Sequence, residues 1–323
     1  MTGLTAEQME AEISAMLKGE REHADIAYFL TSLADKGETV EEITGAARAL
    51  RKHVSGIFAP ATAIDCCGTG GDGRHTLNVS TAVAFVVAAC GIPVAKHGNR
   101  ASSSKCGAAD VLEALNVPLD TSLDKLEDAL RKTNFCFLMA PLHHRAMANV
   151  APVRKALGRR TVFNLLGPLA NPANVKRQMV GVFAQSWVTP MAEALKALGS
   201  KGAWVVHGDG MDEISLSGPT AVAMLDAAGN IANMTLTHAD FGLPKAKSEE
   251  LTGGDARFNA DALMDLLEGG PGTYRDTVLA NAAGALCMAG AAPSLRDGVA
   301  MAAAAIDEGR AKNILFSYRD MVA

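Results

Sequence analysis

The sequence predicts an α/β protein with a small all-helical domain and a larger α/β domain that has a mostly parallel central sheet. Two observations carry this prediction. Only helical signals occur in the first sixty residues, whereas from Ala61 onward short apolar segments of strand character alternate with helical segments. The length of 323 residues also favours two domains, because one domain typically has ~150 residues.

Three helices are predicted in the N-terminal part, residues 1–64. Thr5 with Gln8, and Thr39 with Glu42, have the spacing of capping boxes, in which side chains and backbone N–H groups bond reciprocally at a helix start. Between them a helix is predicted from about residue 23 to residue 35, and it ends at Gly37.

The remainder predicts strands that alternate with helices, which is typical of a parallel sheet covered by helices. Strands are predicted at 61–65, 92–96, 135–139, 179–183 and 203–206. Helices are predicted at 80–89, 107–115, 123–132, 144–158 and 190–198. A hairpin is predicted around residues 228–230, and two or three alanine-rich helices are predicted from Asn259 onward.

Composition and charge exclude several classes of function. Thirty Lys and Arg against thirty-five Asp and Glu give a net charge of −5, so no nucleic-acid partner is expected. The longest apolar run, residues 81–95, is shorter than the ~20 residues that span a bilayer, so no membrane association is expected. The N-terminus lacks the basic and then apolar order of a signal peptide. The six cysteines show no zinc-ligand spacing and lie mostly among apolar residues, which indicates reduced thiols in a cytoplasmic protein.

The strongest local signal is the glycine-rich segment Asp65-Cys-Cys-Gly-Thr-Gly-Gly-Asp-Gly73, between a predicted strand and an apolar helix. Glycines let several backbone N–H groups converge, and such a loop near a helix N-terminus binds phosphate. The alternative is a tight turn with an ordinary Ser/Thr cap. The spacing differs from that of nucleotide triphosphatase loops and of dinucleotide-binding folds, which excludes both.

Two further segments follow predicted strands. Lys96-His-Gly-Asn-Arg-Ala-Ser-Ser-Ser104 has two cations, a glycine and three hydroxyls, which suit an anionic group or, alternatively, a solvated loop. The adjacent carboxylates Asp212 and Glu213 suit Mg²⁺, which prefers oxygen ligands and bridges to phosphates, although acidic turns are common.

A fourth group lies between residues 141 and 169. Arg154 stands in a mostly apolar segment and is a candidate for binding a carboxylate through two parallel hydrogen bonds, with a surface position as the alternative. His143 and His144 are either an acid/base pair or, in the favoured interpretation, one packed residue and one solvated residue.

Together these segments resemble the anthranilate phosphoribosyltransferase family, of the nucleoside-phosphorylase-like class, over essentially the whole chain. The resemblance rests on segments that occur in this order: Gly68-Thr-Gly-Gly-Asp72, Asn78-Val-Ser-Thr81, Lys96-His-Gly-Asn-Arg100, Ala109-Asp-Val-Leu-Glu-Ala-Leu115, Pro152-Val-Arg154, Asn164-Leu-Leu-Gly-Pro168 and Asp212-Glu213.

The resemblance implies transfer of a phosphoribosyl group from 5-phosphoribosyl 1-pyrophosphate to the amine of anthranilate. It also implies a Mg²⁺ cofactor and a homodimer. It implies further that helices from about 140–175 join residues 1–64 in the helical domain, and that 65–139 and 176–323 form the α/β domain. The implied contacts of the sugar pyrophosphate are Gly68, Gly71, Asp72, Thr76, Asn78, Val79, Ser80, Thr81, Lys96, His97, Gly98, Asn99, Arg100, Ala101, Ser102, Ser103, Ser104 and Ala108. Those of anthranilate are Gly68, Asn99 and Arg154, and the implied Mg²⁺ ligands are Ser80, Asp212 and Glu213.

The chain departs from the family pattern where Cys106 and Ala108 stand in place of two serines. The second serine contacts the sugar pyrophosphate in relatives, so a hydrogen bond worth ~0.5–1.5 kcal/mol is expected to be missing. The implied chemistry needs positioning and leaving-group stabilisation, with no essential general base and at most a minor role for His97. Two other functions stay open at this point: a pyrimidine nucleoside phosphorylase, and a non-catalytic nucleic-acid-binding relative of the same fold.

Overall fold

The computed structural model describes residues 3–101 and 105–323, so the predicted contacts Ser102, Ser103 and Ser104 lie outside the described residues. The N-terminal part contains α1 (Ala6–Leu17), α2 (His23–Lys36) and α3 (Val40–Lys52). Both predicted capping boxes are confirmed: Thr5 caps α1 with Gln8, and Thr39 caps α3 with Glu42. Gly37, with φ of +86°, ends α2 as predicted.

A mostly parallel sheet lies at the centre of the α/β part, as predicted. In the described residues its strands are β1 (Ile64–Gly68), β2 (Val94–Gly98), β3 (Phe135–Met139), β4 (Arg177–Gly181), β5 (Gly202–Gly208), β6 (Thr220–Leu225) and β7 (Ile231–Leu236). They are ordered β3-β2-β1-β4-β5-β6-β7. The first five of these run parallel, and β6 and β7 add as an antiparallel hairpin at one edge.

Helices cover both faces of this sheet. Those that precede β4 are α4 (Val79–Ala89), α5 (Ala108–Ala114), α6 (Leu123–Thr133), α7 (Ala140–His143), α8 (Ala151–Leu157) and α9 (Phe163–Leu166). Those that follow are α10 (Val188–Ala197), α11 (His238–Phe241), α12 (Ala256–Leu267), α13 (Thr273–Ala289), α14 (Leu295–Asp307) and α15 (Arg310–Val322). Four helices therefore fill the C-terminal region where two or three were predicted, because three glycines with positive φ, Gly269, Gly290 and Gly309, lie between them.

Three strands lie two or three residues from their predicted positions, whereas β3 has the predicted bounds. Ile64 pairs with both Val94 and Arg177, which sets the register of the three misplaced strands. Proline has no N–H for a ladder, so β2 begins after Pro93, whose carbonyl accepts the Ile64 N–H at 2.8 Å. At its other end β2 includes His97 and Gly98, whose polar sequence context favours a loop.

The sheet separates two hydrophobic cores. In β4 the side chain of Met179 belongs to the core shared with α4 and α13, and that of Val180 to the core shared with α1 and α3. In β5 the side chain of Val206 belongs to the first of these cores and that of Val205 to the second. The second core also contains Val153 of α8 and Phe163 of α9, so the 140–175 region and the N-terminal helices share one apolar interior.

The chain order creates a switch point between β1 and β4. From β1 the chain continues to β2 on one side, and from β4 it continues to β5 on the other. Open α/β sheets bind ligands at the carboxyl ends of strands at such a point. The glycine-rich loop follows β1, which places it at this crevice.

Two further observations concern the chain as a whole. Within residues 3–101 and 105–323, no helix is both long and apolar enough to cross a bilayer. In the same part of the chain, none of the six cysteines forms a disulfide bond.

Candidate active site

The glycine-rich loop joins β1 to α4 and is bonded to the acidic segment that follows β5. Gly70, Gly71 and Gly73 have φ of +65°, +78° and +77°, the left-handed region that glycine adopts without strain. The N–H of Gly70 donates to Asp212 Oδ2 at 2.7 Å. An amide of the loop therefore donates to a carboxyl oxygen of the acidic segment.

Asn78 is the N-cap residue of α4 and is held from three distant segments. Its Oδ1 accepts from Asn259 Nδ2 at 2.8 Å, its backbone carbonyl accepts from the Tyr274 hydroxyl at 3.1 Å, and its Nδ2 donates to the Cys106 carbonyl at 3.4 Å. These bonds fix the start of a helix whose N-terminal N–H groups favour anions. Sequence reasoning missed Asn259 and Tyr274 because they are remote in sequence and carry no local motif.

The other predicted contacts near the start of α4 differ in their burial and in their bonding. Val79 and Thr81 are buried, and within the described residues Thr81 Oγ1 has no hydrogen-bond partner. Thr76 forms an isolated bridge with Thr252, so the loop is tied to the segment before α12.

Lys96 extends from β2 under the start of α4. Although it is buried, its ammonium donates to the Cys66 carbonyl at 2.6 Å and to Ser80 Oγ at 3.1 Å. Its charge also opposes the rise of the Glu213 pKa. Lys96 therefore stands between the predicted pyrophosphate loop and the predicted metal ligands.

Three carboxylates meet beside the loop. Asp72 Oδ2 accepts from the backbone N–H of Asp212 at 3.4 Å. Burial, and then the charge of Asp72, raise the pKa of Asp212 to about 7. Burial and the charge of Asp212 raise the pKa of Glu213, which the Lys96 charge and the Ser80 N–H oppose. The site thus concentrates negative charge that its own cation does not balance.

The side-chain oxygens of Ser80, Asp212 and Glu213 form a donor set that suits Mg²⁺. Carboxylates and the Ser80 hydroxyl are hard oxygen ligands, and the raised carboxyl pKa values mark a place where a divalent cation would be favoured. In the part of the chain that the structure describes, no group of three or more His, Cys, Asp or Glu side chains is arranged to hold a metal alone. Mg²⁺ commonly completes its shell with waters and substrate phosphates, which agrees with this arrangement.

His97 is buried in the neutral form at the end of β2. Its Nδ1 lies 3.0 Å from the Gly167 carbonyl, and Nε2 has no partner among the described residues. Burial, and then the charge of His144, lower the His97 pKa to about 3. Because a neutral imidazole with so low a pKa is a weak base, the geometry does not favour general-base catalysis by His97.

The favoured interpretation of His143 and His144 was wrong, because neither is solvated: their exposed fractions are 1% and 8%. His143 Nδ1 lies 2.6 Å from the Ser55 carbonyl. The His144 ring lies against His97, with the ring centroids 5.2 Å apart. Both side chains are enclosed by the long-range packing of the 140–175 region, which no local pattern reveals.

Asp65 and Asn171 form a buried support beneath His97. The Asp65 carboxylate accepts from the His97 backbone N–H at 3.1 Å and from Asn171 Nδ2 at 2.8 Å. The same Asn171 amide donates to the Ala95 carbonyl at 2.8 Å. These contacts tie the segment that ends the helical region to β1 and β2, and no local sequence pattern predicts them.

Arg154 lies on α8 with a half-buried guanidinium. It stacks over the Phe163 ring, 5.3 Å from the centroid, and burial lowers its pKa. Across residues 3–101 and 105–323, no carboxylate or carbonyl bonds to it. A desolvated cation with no counter-charge is suited to an organic anion such as a carboxylate.

The end of β2 and the residues that follow it pack closely against β3 and α5. A Cβ at Gly98 would lie 2.6 Å from Phe137 Cε2, so only glycine fits there. The Asn99 carbonyl accepts from Ala109 N at 3.1 Å, and its Oδ1 accepts from Arg100 N at 2.8 Å. Ala108 is the first residue of α5.

Arg100 is engaged by α5 in this structure. Its guanidinium donates to Glu113 at 2.7 and 3.0 Å and to Asp110 at 3.1 Å. The Ala101 N–H donates to Asp110 Oδ2 at 2.8 Å. The predicted contact of Arg100 with the sugar pyrophosphate would therefore require its guanidinium to leave these acids or to share them.

The chain matches the glycosyl transferase family. Residues 60–312 match the a/b domain of that family, and residues 2–54 match its helical bundle domain. Anthranilate phosphoribosyltransferase of Mesorhizobium japonicum is 52% identical over 314 residues, which cover 97% of this chain and 93% of that protein. The crystal structure of the Thermus thermophilus enzyme superposes with a TM-score of 0.93 at 40% identity, covering 99% of this chain and 96% of that one. The structure of anthranilate phosphoribosyltransferase from Saccharomyces cerevisiae in complex with PRPP and Mg superposes with a TM-score of 0.91 at 28% identity. This match covers 99% of this chain and 93% of that one. The chain belongs to the anthranilate phosphoribosyltransferase family.

Proposed function

We propose that the protein transfers the 5-phosphoribosyl group of 5-phosphoribosyl 1-pyrophosphate to the amine of anthranilate and releases pyrophosphate, as a step of tryptophan biosynthesis. Family membership supports this reaction. The observation that carries it is the contact of Gly70 N–H with the Asp212 carboxylate, which joins an anion-binding loop to a cation-binding acid pair. A diphosphate with bound Mg²⁺ needs both features.

The proposed roles are those that the family resemblance implies. The loop from Gly68 to Asp72, the start of α4 with Ser80, and Lys96 hold the sugar pyrophosphate. Asp212, Glu213 and Ser80 hold Mg²⁺, and Gly68, Asn99 and Arg154 hold anthranilate. The lack of a counter-charge on Arg154 among the described residues supports its pairing with the anthranilate carboxylate.

The proposed mechanism rests on position and charge. When bound, Mg²⁺ supplies positive charge to the departing pyrophosphate. The loop N–H groups and Lys96 add to that stabilisation, and Arg154 holds anthranilate so that its amine faces the ribose C1. The aromatic amine needs no strong base before it attacks, which agrees with a buried, neutral His97. Enclosure of the cleft excludes water that would compete for the electrophilic C1.

The domain organisation and assembly are part of the same proposal. We propose that residues 1–64 together with about 140–175 form the helical domain, and that 65–139 and 176–323 form the α/β domain. The apolar core that α1, α3, α8 and α9 share supports the joining of the 140–175 helices to the N-terminal helices, and this core extends onto β4 and β5. A cytoplasmic homodimer is proposed from the family alone.

The test is a direct assay. Purified protein with anthranilate, 5-phosphoribosyl 1-pyrophosphate and Mg²⁺ is expected to consume anthranilate, measured as loss of its fluorescence. Omission of any one component should abolish the loss. Phosphorolysis of a pyrimidine nucleoside without anthranilate turnover would contradict the proposal.

A further inference from the structure

Arg160 connects the segment between α8 and α9 to the glycine-rich loop. Its Nη2 donates to the Gly71 carbonyl. Its guanidinium also lies over the Phe183 ring, with Cζ 4.2 Å from the centroid. One side chain therefore contacts both the loop after β1 and a residue of the segment that follows β4.

Phe183 is itself bonded to that loop. Its backbone N–H donates to Thr69 Oγ1 at 3.0 Å, and the Thr69 N–H donates to the Gly181 carbonyl at 2.9 Å. Arg160, Phe183, Thr69 and Gly71 thus form a closed set of contacts around the loop. The ring orients the guanidinium, and the guanidinium orients the Gly71 carbonyl.

The orientation of this carbonyl determines where the next amide points. A peptide bond is planar and trans, so the Gly71 carbonyl and the Asp72 N–H point in opposite directions. With φ of +78°, Gly71 has no side chain that restricts its rotation. Holding its carbonyl toward Arg160 directs the Asp72 N–H away from Arg160 and fixes the approach of Asp72 to Asp212.

We infer that Arg160 is a positioning residue that sets the conformation of the loop for the diphosphate of the sugar donor. This inference rests on the proposed function and extends it to a side chain outside the predicted contacts. The neighbouring Arg159 differs, because its guanidinium pairs with Asp35 at 2.7 Å in the N-terminal helical part. Arg159 therefore offers a matched control of equal charge and adjacent position.

The experiment compares Arg160→Met with Arg159→Met and the wild type. For Arg160→Met we expect the KM for 5-phosphoribosyl 1-pyrophosphate to rise roughly tenfold, the size expected for loss of a charged hydrogen bond, with the KM for anthranilate unchanged. Arg159→Met should keep both KM values. Titration calorimetry with pyrophosphate and Mg²⁺ should show the same loss of affinity for Arg160→Met alone. An unchanged melting temperature shows that each variant is folded.

A double-mutant cycle tests whether Arg160 and Phe183 act on pyrophosphate binding through the same loop. Phe183→Leu removes the ring beneath the guanidinium and should weaken pyrophosphate binding less than Arg160→Met does. The double variant should bind no more weakly than Arg160→Met, because both changes release the same loop. Additive losses, equal rises in both KM values, or normal pyrophosphate affinity in Arg160→Met would overturn the inference. A wild type that binds pyrophosphate through Arg160 but consumes no anthranilate would instead count against the proposed function.

Discussion

A Cβ at Gly68 would collide with the carboxylate of Asp212, so the last residue of β1 must be glycine for the acidic segment to approach it. The same carboxylate accepts the Gly70 N–H at 2.7 Å. Two motifs that are far apart in the sequence are therefore in direct contact at the carboxyl ends of β1 and β5. The proposed metal ligand and the proposed phosphate loop cannot move independently.

Gly68→Ala tests this contact. The added methyl group is expected to displace the Asp212 carboxylate from the loop, so kcat should fall at least tenfold and the Mg²⁺ concentration for half-maximal rate should rise. Gly202→Ala, at the start of β5, is the control, because its Cβ would meet only ordinary contacts of 3.6 Å or longer. Normal Mg²⁺ dependence in Gly68→Ala would show that Asp212 does not hold the ion.

The acid pair and His97 are expected to differ strongly in importance. Asp212→Ala/Glu213→Ala should lose more than a hundredfold in kcat, because the carboxylates that hold Mg²⁺ are gone. His97→Ala should lose less than about tenfold, since a buried neutral imidazole contributes little as a base. Steady-state rates at saturating substrates measure both, with circular dichroism as the control for folding. Equal losses would show that His97 is essential.

Local motifs predicted much of this site, and long-range packing supplied the rest. Capping boxes fixed α1 and α3 because their side chains and amides lie within one helical turn. The bounds of β1 and β2 were obscured at their carboxyl ends, since Gly68, His97 and Gly98 belong to segments whose sequence favours loops. His97 is held in β2 by its backbone N–H, which donates to the remote Asp65 carboxylate. No local pattern reveals Asn259 or Tyr274, which orient Asn78 from α12 and α13.

Arg154→Ala tests the proposed carboxylate clamp. Loss of a charge-assisted hydrogen-bonded pair costs about 1.5–3 kcal/mol, which raises the anthranilate KM roughly tenfold to a hundredfold. The KM for the sugar donor should not change. Lys155→Ala, an exposed position next along α8, should leave both values unchanged. A similar rise in both KM values for Arg154→Ala would place the guanidinium elsewhere than on anthranilate.

The buried histidines predict how stability depends on pH. The pKa of His97 is lowered to about 3 and that of His144 to about 4, both chiefly by burial, from 6.5. A lowered folded-state pKa means that stability is complete above pH 6.5 and is lost as the pH falls, because the unfolded chain takes up the protons. Between pH 7 and pH 5 each histidine should remove about 2 kcal/mol from the free energy of unfolding.

Urea unfolding at several pH values measures this loss. Compared with the wild type, His144→Gln should lose about 2 kcal/mol less between pH 7 and pH 5, whatever its effect at pH 7. The comparison isolates His144, because Asp212, whose raised pKa acts in the opposite direction, and His143 titrate in both proteins. His23→Gln, at the exposed start of α2, should leave the dependence as it is in the wild type. An equal pH dependence in His144→Gln and the wild type would mean that the His144 imidazole is charged in the folded protein.

Ala108→Ser restores the hydroxyl that the family pattern has at the first residue of α5. If the position faces the sugar pyrophosphate, one added hydrogen bond of ~0.5–1.5 kcal/mol should lower its KM roughly two- to tenfold. Ala114→Ser, at the last residue of the same helix, controls for the general effect of a serine and should change nothing. The anthranilate KM and kcat should stay within about twofold in both variants, because the added bond holds the donor equally before and during its reaction. An unchanged donor KM in Ala108→Ser would show that the start of α5 does not contact the substrate.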